Sequence, residues 1–311
     1  MGDIDSLFKE FKRKIEAEKA RHHVEPGMTL KHFYLEDKIG QGAIADIFSA
    51  RNTITGERVS IKAVRADIFV NERREEFIAR FKREVNILLD YKHPNLVDIK
   101  DYGEDITLFY AMDYIEGKDL FEVIREYRER RKYIAPRRAI TMAITIASVL
   151  SGMHARGMYH RDLKSENIMV EHPGTEKERF ILIDLGLGKI VEQDPGLTGK
   201  YDILGTVEFM PPEQLHGEPY DERGDVYSLA TILYETLCNR TPFVKTRREI
   251  KIELARRKSR EETQHLARFN PDVHPKINKV VMKALKKDPD KRYQDCGEFI
   301  DALEEAVRYA A

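Results

Sequence analysis

The sequence contains no tryptophan and only two cysteines, Cys238 and Cys296, among its 311 residues. The two cysteines lie far apart and lack the spacing of metal ligands, so the pattern shows neither a disulfide framework nor a cysteine-based zinc site. Cysteine usage of this kind is typical of a reducing compartment, and we expect a cytoplasmic protein.

Long hydrophobic runs and a strong net charge are also missing. The longest apolar run, Ala139 to Leu150, is too short and too rich in Thr and Ser to span a bilayer. The N-terminal region is charged throughout, which excludes a secretory signal. The net charge of −1 at pH 7 provides no argument for binding to nucleic acid or to a membrane surface. The sequence therefore predicts a soluble chain without a membrane span.

The most informative stretch begins at Tyr159 and reads YHRDLKSENIMV. Asp162, Lys164 and Asn167 lie in its irregular first part, and the apolar residues that follow predict a buried strand that fixes the end of this loop. A second short apolar run then leads to Asp184. The pattern predicts two carboxylates, an amide and an ammonium group near one point.

Such a group suits phosphoryl transfer, in which catalysis is mostly positioning and neutralisation of charge on phosphate oxygens. Asp162 can accept a hydroxyl proton, and Lys164 can lie against the transferred phosphoryl group. Asn167 and Asp184 offer the hard oxygen ligands that Mg²⁺ prefers. The alternative, an ordinary polar loop with one ion pair, does not account for the ordered set of residues.

The segment HRDLKSEN resembles the catalytic loop of the eukaryotic-like (Hanks-type) protein kinases, and DLG at Asp184 stands where that family has DFG. Lys164 and Glu166 resemble the serine/threonine form of the loop, and the likeness is greatest to bacterial serine/threonine kinases. It extends from about Phe33 to Ala306. The resemblance implies an α+β, bilobal protein kinase fold: a small β-rich N-lobe with one regulatory helix, and a larger, mainly helical C-lobe.

The resemblance also implies a domain division and cofactors. We expect an N-terminal amphipathic helix or extension at 1–27, the N-lobe at 28–116 and the C-lobe at 117–311. ATP and Mg²⁺ are the implied cofactors, with Mn²⁺ as an alternative metal, and proteins are the implied substrates. Asp162 would then orient the acceptor hydroxyl and accept its proton, Lys164 would neutralise the γ-phosphate, and Asn167 and Asp184 would hold the metal.

A glycine-rich turn and a strand lysine extend the predicted site. Gly40 and Gly42 would allow backbone N–H groups to approach phosphates, although Ala45 stands where the family has its third glycine. Lys62 would contact the α- and β-phosphates and pair with Glu84, which lies in the helical run from 74 to 90. The basic residues of that run are expected on a mostly solvated face: Arg73, Arg74, Arg80, Lys82 and Arg83.

By alignment, Met112 takes the gatekeeper position, and the backbone of Asp113 and Ile115 would bind the adenine edge. Asp119 stands where the family often has an acid for the ribose hydroxyls, but it fits equally well as the N-cap of a helix that starts at Leu120. Together, the implied ATP-binding residues are Ile39, Gly40, Gly42, Ile47, Ser60, Lys62, Met112, Asp113, Ile115, Asp119 and Met169.

An activation segment is implied from Asp184 to Glu213, and Thr198 is its best phosphate acceptor. Arg161, directly before Asp162, marks the kinases that activation-loop phosphorylation usually controls, because its guanidinium can bind the new phosphate. The alternative is an unmodified surface threonine at position 198. Thr206 resembles the family threonine that bonds to the catalytic Asp and Lys.

Two anchors of the large lobe are implied as well. Glu213 would form a buried ion pair with Arg292, and Asp225 would hold the backbone of the catalytic loop. Kinases for small molecules generally lack this activation segment and its anchors, so a protein substrate is favoured.

Two further segments remain open. Residues 3–23 read as an amphipathic helix whose apolar stripe packs either on the small lobe itself or against a partner or second copy. The most basic segment, 125–138, is expected to be a solvated helix face, with docking of an acidic partner as the alternative. Its aromatic residues are too few to favour nucleic acid.

The sequence thus predicts an ATP- and Mg²⁺-dependent serine/threonine protein kinase that phosphorylates its own activation loop. Two alternatives belong to other classes. A pseudokinase that acts as a binding module is supported only by Ala45 and Leu185, because every charged catalytic position is filled. A small-molecule kinase would lack the pattern from Lys164 to Asn167.

Overall fold

The computed structural model describes residues 14–185, 207–244 and 251–309, with the side chains at 251 and 252 left out. The chain forms two compact units. The first contains the chain up to Lys92 together with Val97–Ile115, and the second contains His93–Leu96 and the chain from Glu116 onwards. The division of the chain into three parts stays a prediction.

The first unit is built on an antiparallel, six-stranded sheet in the order β1-β2-β3-β4-β6-β5. Its strands are β1 Thr29–Leu30, β2 Phe33–Gln41, β3 Ala45–Asn52, β4 Arg58–Val64, β5 Ile99–Glu104 and β6 Leu108–Asp113. Apolar residues alternate along β4, so that Val59, Ile61 and Ala63 enter one core with Phe33 and Phe109. This alternation buries one face of the sheet and leaves β4 able to present Lys62 on the other.

The described residues of the first unit also form three helices: α1 at residues 14–21, α2 Ala66–Phe69 and α3 Arg74–Asp90. Helix α3 buries Phe81, Glu84, Val85 and Leu88, which the period of 3.6 residues brings to one face. The expectation of a solvated basic face was wrong for Arg80. Its guanidinium is buried and pairs with a carboxylate one turn earlier on the helix.

The end of α1 contacts its own unit. The ring of His22 stacks on Phe69 with a centroid distance of 3.6 Å, and His22 Nδ1 bonds to the carbonyl of Ile106 at 2.8 Å. Val24 packs against the sheet core. Most of the apolar stripe predicted for residues 3–23 lies outside the described residues, so both proposed uses of that stripe stay predictions.

The second unit is mainly helical. Its helices are α4 Leu120–Glu129, α5 Pro136–His154, α6 Pro212–His216, α7 Glu222–Cys238, α8 Lys251–Arg260, α9 Pro275–Ala284 and α10 Cys296–Val307. A three-stranded antiparallel sheet in the order β7-β8-β9 is formed by Gly117–Asp119, Ile168–Glu171 and Arg179–Leu182. Across the described parts of the chain, no helix combines the length and apolar character that crossing a membrane requires.

Helix α7 is buried along almost its whole length, and α5 and α10 pack in the same core. Asp221 caps the N-terminus of α7 by accepting a hydrogen bond from Arg223 N at 3.0 Å, and Asn239 ends the helix in the left-handed conformation. Such a rigid central helix is a suitable support for the polar loop that carries Asp162.

In the basic segment, acidic neighbours balance several charges. Arg138 forms a fork with Glu178, with nitrogen–oxygen distances of 2.8 and 2.6 Å. Arg125 and Arg130 pair with glutamates on α4 itself. These pairs favour the interpretation of a charged surface over that of a docking site for an acidic partner.

Candidate active site

Asp225, near the start of α7, holds the loop that leads to Asp162. Its buried carboxylate accepts hydrogen bonds from His160 N at 2.8 Å and Arg161 N at 3.0 Å. It also bonds to Tyr220 Oη at 2.6 Å and to His154 Nε2 at 2.8 Å. Burial alone would raise the pKa of Asp225, but the bonds and charges of His154, together with the Tyr220 bond, outweigh it and lower the pKa.

The interior of the loop is cross-linked by its own polar groups. Arg161 adopts a left-handed conformation with φ of 62°, and Asp162 N bonds to the carbonyl of His160 at 2.8 Å. Asn167 Nδ2 donates to the carbonyl of Asp162 at 3.0 Å, and Asn167 N donates to the carbonyl of Lys164 at 3.1 Å. One small loop therefore brings Asp162, Lys164 and Asn167 together.

The small sheet of the second unit delivers Asp184 to the same place. Strands β8 and β9 pair so that Ile168 faces Leu182, and Ile183 N donates to the carbonyl of Asn167 at 3.0 Å. Asp184 follows directly. Because Asn167 Nδ2 is bonded to the loop, its Oδ1 is the end of the amide that a cation could use.

The oxygens of Asn167 and Asp184 fit Mg²⁺, which commonly binds one or two protein ligands together with phosphate oxygens and water. Within the described residues there is no group of three or more His, Cys, Asp and Glu side chains that could hold a metal ion.

The first unit contains the predicted lysine–glutamate pair. Lys62 Nζ lies 2.7 Å from Glu84 Oε1, and the two side chains are 14% and 8% exposed. Tyr110, opposite Lys62 in the β4–β6 register, donates its hydroxyl to the same Glu84 oxygen at 2.8 Å. Glu84 thus receives the strand lysine and a tyrosine together, which fixes it beside the sheet.

The glycine-rich turn connects β2 and β3. Gly40 faces Ile47 across the strands, and Gly42 N donates to the carbonyl of Ala45 at 2.8 Å. A Cβ atom on Gly42 would lie 3.1 Å from that carbonyl oxygen, so the turn leaves little space for a side chain. Ile39 is half-exposed, as expected of an apolar residue that could cover a ligand.

The predicted adenine-binding residues of the first unit lie on its central strands. Ser60 faces Met112 across β4 and β6, and both side chains are buried. Asp113 N donates to the carbonyl of Asp98 at 3.1 Å, while the Asp113 carboxylate pairs with Lys100 at 2.7 Å. The Asp113 N–H is therefore engaged by the protein, so its carbonyl is the group to consider for adenine. Ile115 is the last residue of the first unit.

Asp119 caps helix α4, because its Oδ1 accepts a hydrogen bond from Glu122 N at 2.7 Å. Burial raises the pKa of its carboxyl group. Met169 lies opposite Asp119 across β7 and β8. The capping geometry is one of the two alternatives for Asp119, and contact with a ribose stays a prediction.

Glu213 and Arg292 form a buried fork with both nitrogen–oxygen distances at 2.7 Å. Arg292 also donates to the carbonyls of Lys286 at 2.7 Å, Lys287 at 2.9 Å and Arg223 at 3.0 Å. These bonds engage every N–H group of the guanidinium. The ion pair therefore joins α6, α7 and the segment before α10.

The sequence profile described as "Protein kinase domain" matches residues 33–304 of this chain. The chain belongs to the protein kinase family. It is 34% identical over 282 residues to a probable serine/threonine-protein kinase of Streptomyces coelicolor, which covers 88% of this chain and 40% of the relative. The serine/threonine-protein kinase PrkC of Bacillus subtilis is 32% identical over 257 residues, which covers 82% of this chain and 37% of PrkC.

The kinase domain thus spans less than half the length of these two curated relatives. A crystal structure of the PknI kinase domain of Mycobacterium tuberculosis has a TM-score of 0.70 and 22% identity. The match covers 92% of this chain and 100% of that chain. The predicted α+β kinase fold is confirmed.

Several predicted parts of the kinase site lie outside the described residues. They are Gly186 of the DLG motif, Thr198 and Thr206. Their roles stay predictions, as do the assigned roles of the residues that the structure does describe.

The structure adds residues that sequence reasoning missed. Tyr110 could have been found from the strand alternation that places it on the same face as Met112. Gln214 Nε2 donates to the carbonyl of Arg161 at 2.9 Å, and Tyr220 bonds to Asp225.

Proposed function

We propose that this kinase domain transfers the γ-phosphate of ATP to Ser or Thr hydroxyls of protein substrates. The observation that carries the proposal is the cross-linked loop of Asp162, Lys164 and Asn167. Asp225 binds the backbone at the start of this loop, and the hydrogen bond from Ile183 N to the Asn167 carbonyl brings Asp184 next to it. The curated relatives named serine/threonine-protein kinases support the choice of acceptor.

In this proposal, each polar group of the loop has one role. Asp162 orients the acceptor hydroxyl and takes its proton while the hydroxyl oxygen bonds to the γ-phosphorus. The bond from that phosphorus to the bridging oxygen breaks at the same step, and ADP leaves with the electron pair. Lys164 neutralises charge on the transferred group. Mg²⁺, or Mn²⁺ in its place, would be held by Asn167 and Asp184 and would neutralise charge on the phosphates.

In the first unit, Lys62 supplies a positive charge for the α- and β-phosphates, and Glu84 orients that lysine. The glycine-rich turn offers backbone N–H groups to the phosphates. Asp113 and Ile115 provide backbone groups for adenine, and the buried side chains of Met112 and Ser60 lie on neighbouring strands of the same unit. In the second unit, Met169 stays a predicted ATP-binding residue. Asp119 both caps α4 and offers a carboxylate for the ribose.

We further propose regulation by autophosphorylation in the cytoplasm. A phosphate on Thr198 would pair with Arg161, whose guanidinium lies over the ring of Tyr220 at 5.2 Å from its centroid. Charge-assisted bonds of this kind order a loop when the phosphate is added.

The test is intact mass before and after incubation with ATP and Mg²⁺, followed by peptide mapping. The unmutated protein should gain mass in steps of one phosphate, with Thr198 among the modified residues. The Asp162→Asn variant is the matched control, because it keeps the loop geometry and should gain none. An unmutated protein that binds ATP but phosphorylates neither itself nor an added protein would contradict the proposal and favour a pseudokinase.

A further inference from the structure

Lys258, in the middle of α8, is an ammonium group enclosed by backbone carbonyls. Lys258 is only 1% exposed. Nζ donates to the carbonyl oxygens of Val207 at 2.9 Å, Glu208 at 2.7 Å and Met210 at 2.6 Å. Three acceptors match the three N–H groups of a protonated lysine. Burial lowers the pKa of this lysine to about 7, while Glu208 and Glu213 act in the opposite direction.

The one carbonyl in this segment that Lys258 does not reach has its own side-chain partner. The carbonyl of Phe209 accepts a hydrogen bond from Ser228 Oγ on α7 at 3.0 Å. Residues 207–210 therefore have every carbonyl bound by a side chain from a neighbouring helix. Two residues that are distant in sequence, on α7 and α8, determine the path of this short segment.

Apolar packing and a further hydrogen bond hold α8 against the same region. Leu254 of α8 forms a buried cluster with Val207 and Phe243. One turn later, Ser259 Oγ bonds to His216 Nε2 of α6 at 2.8 Å. Lys258 is thus placed by its helix and is not a flexible surface lysine that happens to reach a carbonyl.

The segment is tied to the catalytic loop at its far end. After Pro211, Glu213 is fixed by Arg292, and Gln214 donates to the carbonyl of Arg161, next to Asp162. A protein substrate that presents a hydroxyl to Asp162 continues for about 3.3–3.6 Å per residue on either side of it. Its neighbouring residues must therefore contact the surface that borders the loop.

We infer that Lys258 is a positioning residue for the protein substrate: it holds 207–210 in the conformation that receives the chain beside the acceptor hydroxyl. The inference rests on the proposed function. It adds a residue far from Asp162 in sequence that acts on the acceptor side of the reaction and leaves ATP binding alone. Replacing Lys258 would remove the ammonium donor from three carbonyls, two of them in buried bonds, so the segment would take other paths.

The test compares Lys258→Met with Ser228→Ala and with Asn270→Ala. Ser228→Ala removes the other anchor of the segment. Asn270 is the control, because it is buried in the same unit and donates to the carbonyl of Leu237 at 2.7 Å, away from 207–210. The acceptor is the Asp162→Asn chain labelled with ¹⁵N, which has a distinct mass and should not phosphorylate itself.

We expect Lys258→Met to raise the KM for this acceptor about tenfold, with the KM for ATP and the rate of ATP hydrolysis without acceptor changed less than about twofold. Ser228→Ala should act in the same direction with a smaller change. Mass-spectrometric hydrogen exchange over 207–210 should quicken about tenfold in Lys258→Met, and not in Asn270→Ala.

Lys258→Met overturns the inference if its exchange over 207–210 and its KM values match those of Asn270→Ala. Equal losses for ATP and for the acceptor would also overturn it, since they indicate general destabilisation. If the unmutated chain transfers no phosphate, the substrate role fails together with the proposed function. The exchange measurement then still shows whether Lys258 holds the segment, which separates the two failures.

Discussion

The two units each contain an ion pair at a key position, and the two pairs are built differently. In the first unit, Lys62 and Glu84 meet through a single nitrogen–oxygen contact of 2.7 Å. In the second unit, Arg292 and Glu213 form a fork, and the remaining N–H groups of the guanidinium bond to three backbone carbonyls. The first pair is a contact of point charges, whereas the second is a fully bonded joint.

The difference in geometry agrees with a different proposed role for each pair. A lysine on a flexible stem can leave its glutamate partly and contact a phosphate, because an ammonium group has no fixed plane. An arginine whose N–H groups are all engaged cannot rearrange without breaking several bonds at once. The comparison agrees with the ligand-binding role proposed for Lys62 and Glu84, whereas the bonds of Glu213 and Arg292 hold the helical unit together.

The largest effect on stability should follow from breaking the fork. Arg292→Met would leave Glu213 as a buried carboxylate without its partner, which typically costs about 3–5 kcal/mol in the free energy of unfolding. Urea denaturation monitored by circular dichroism would measure the loss. If the free energy of unfolding falls by less than about 1 kcal/mol, the ion pair of Glu213 and Arg292 does not hold the helical unit together.

A double variant separates the pair from its surroundings. Glu213→Leu combined with Arg292→Met removes both charges, so it should lose less stability than the sum of the two single variants. Additive losses would indicate that the carbonyl bonds of Arg292 matter and that the ion pair does not.

In contrast to Arg292→Met, Lys62→Met should affect activity strongly and stability only slightly. We expect phosphotransfer to be lost, because no cation remains for the α- and β-phosphates. The free energy of unfolding should be only about 1–2 kcal/mol lower than in the unmutated chain, since Glu84 keeps the hydroxyl of Tyr110 and can take up a proton. Initial rates and urea denaturation of the same preparation would check both parts.

A Lys62→Met chain that loses as much stability as Arg292→Met would contradict the proposed division of roles. Retained phosphotransfer would contradict the assigned role of Lys62. The matched control is Lys100→Met, which removes another strand lysine of the first unit whose partner, Asp113, is partly exposed.

Much of the fold and of the site could be predicted because the residues that share a chemical task lie close together in the sequence. Asp162, Lys164 and Asn167 fall within six residues, and the strand that follows them has a clear apolar pattern. The kinase fold then follows from the resemblance. Lys62 and Glu84 lie 22 residues apart, yet the strand and helix patterns place them on facing sides.

The remaining features depend on contacts that have no local signature. Lys258 lies 48 residues from Met210 in sequence, and its helical run is rich in basic residues, so composition favoured an exposed side chain. Arg80 was misjudged for the same reason, because a basic helix face does not show which arginine turns inward. In both cases tertiary packing decides which side chain is buried. The buried charge is then stabilised by its partners, which are distant carbonyls for Lys258 and a glutamate one helical turn earlier for Arg80.

The smallest expected effect sharpens the comparison from the side of Glu84. Tyr110→Phe removes one hydroxyl donor and leaves the ring packed against Phe81, at a centroid distance of 5.4 Å. We expect about 1 kcal/mol less stability and nearly unchanged phosphotransfer, because Lys62 still reaches Glu84. If Tyr110→Phe instead lowers the rate of phosphotransfer as strongly as Lys62→Met, then the tyrosine positions Glu84. The pair of Lys62 and Glu84 would then depend on a further hydrogen bond, as the pair of Glu213 and Arg292 does.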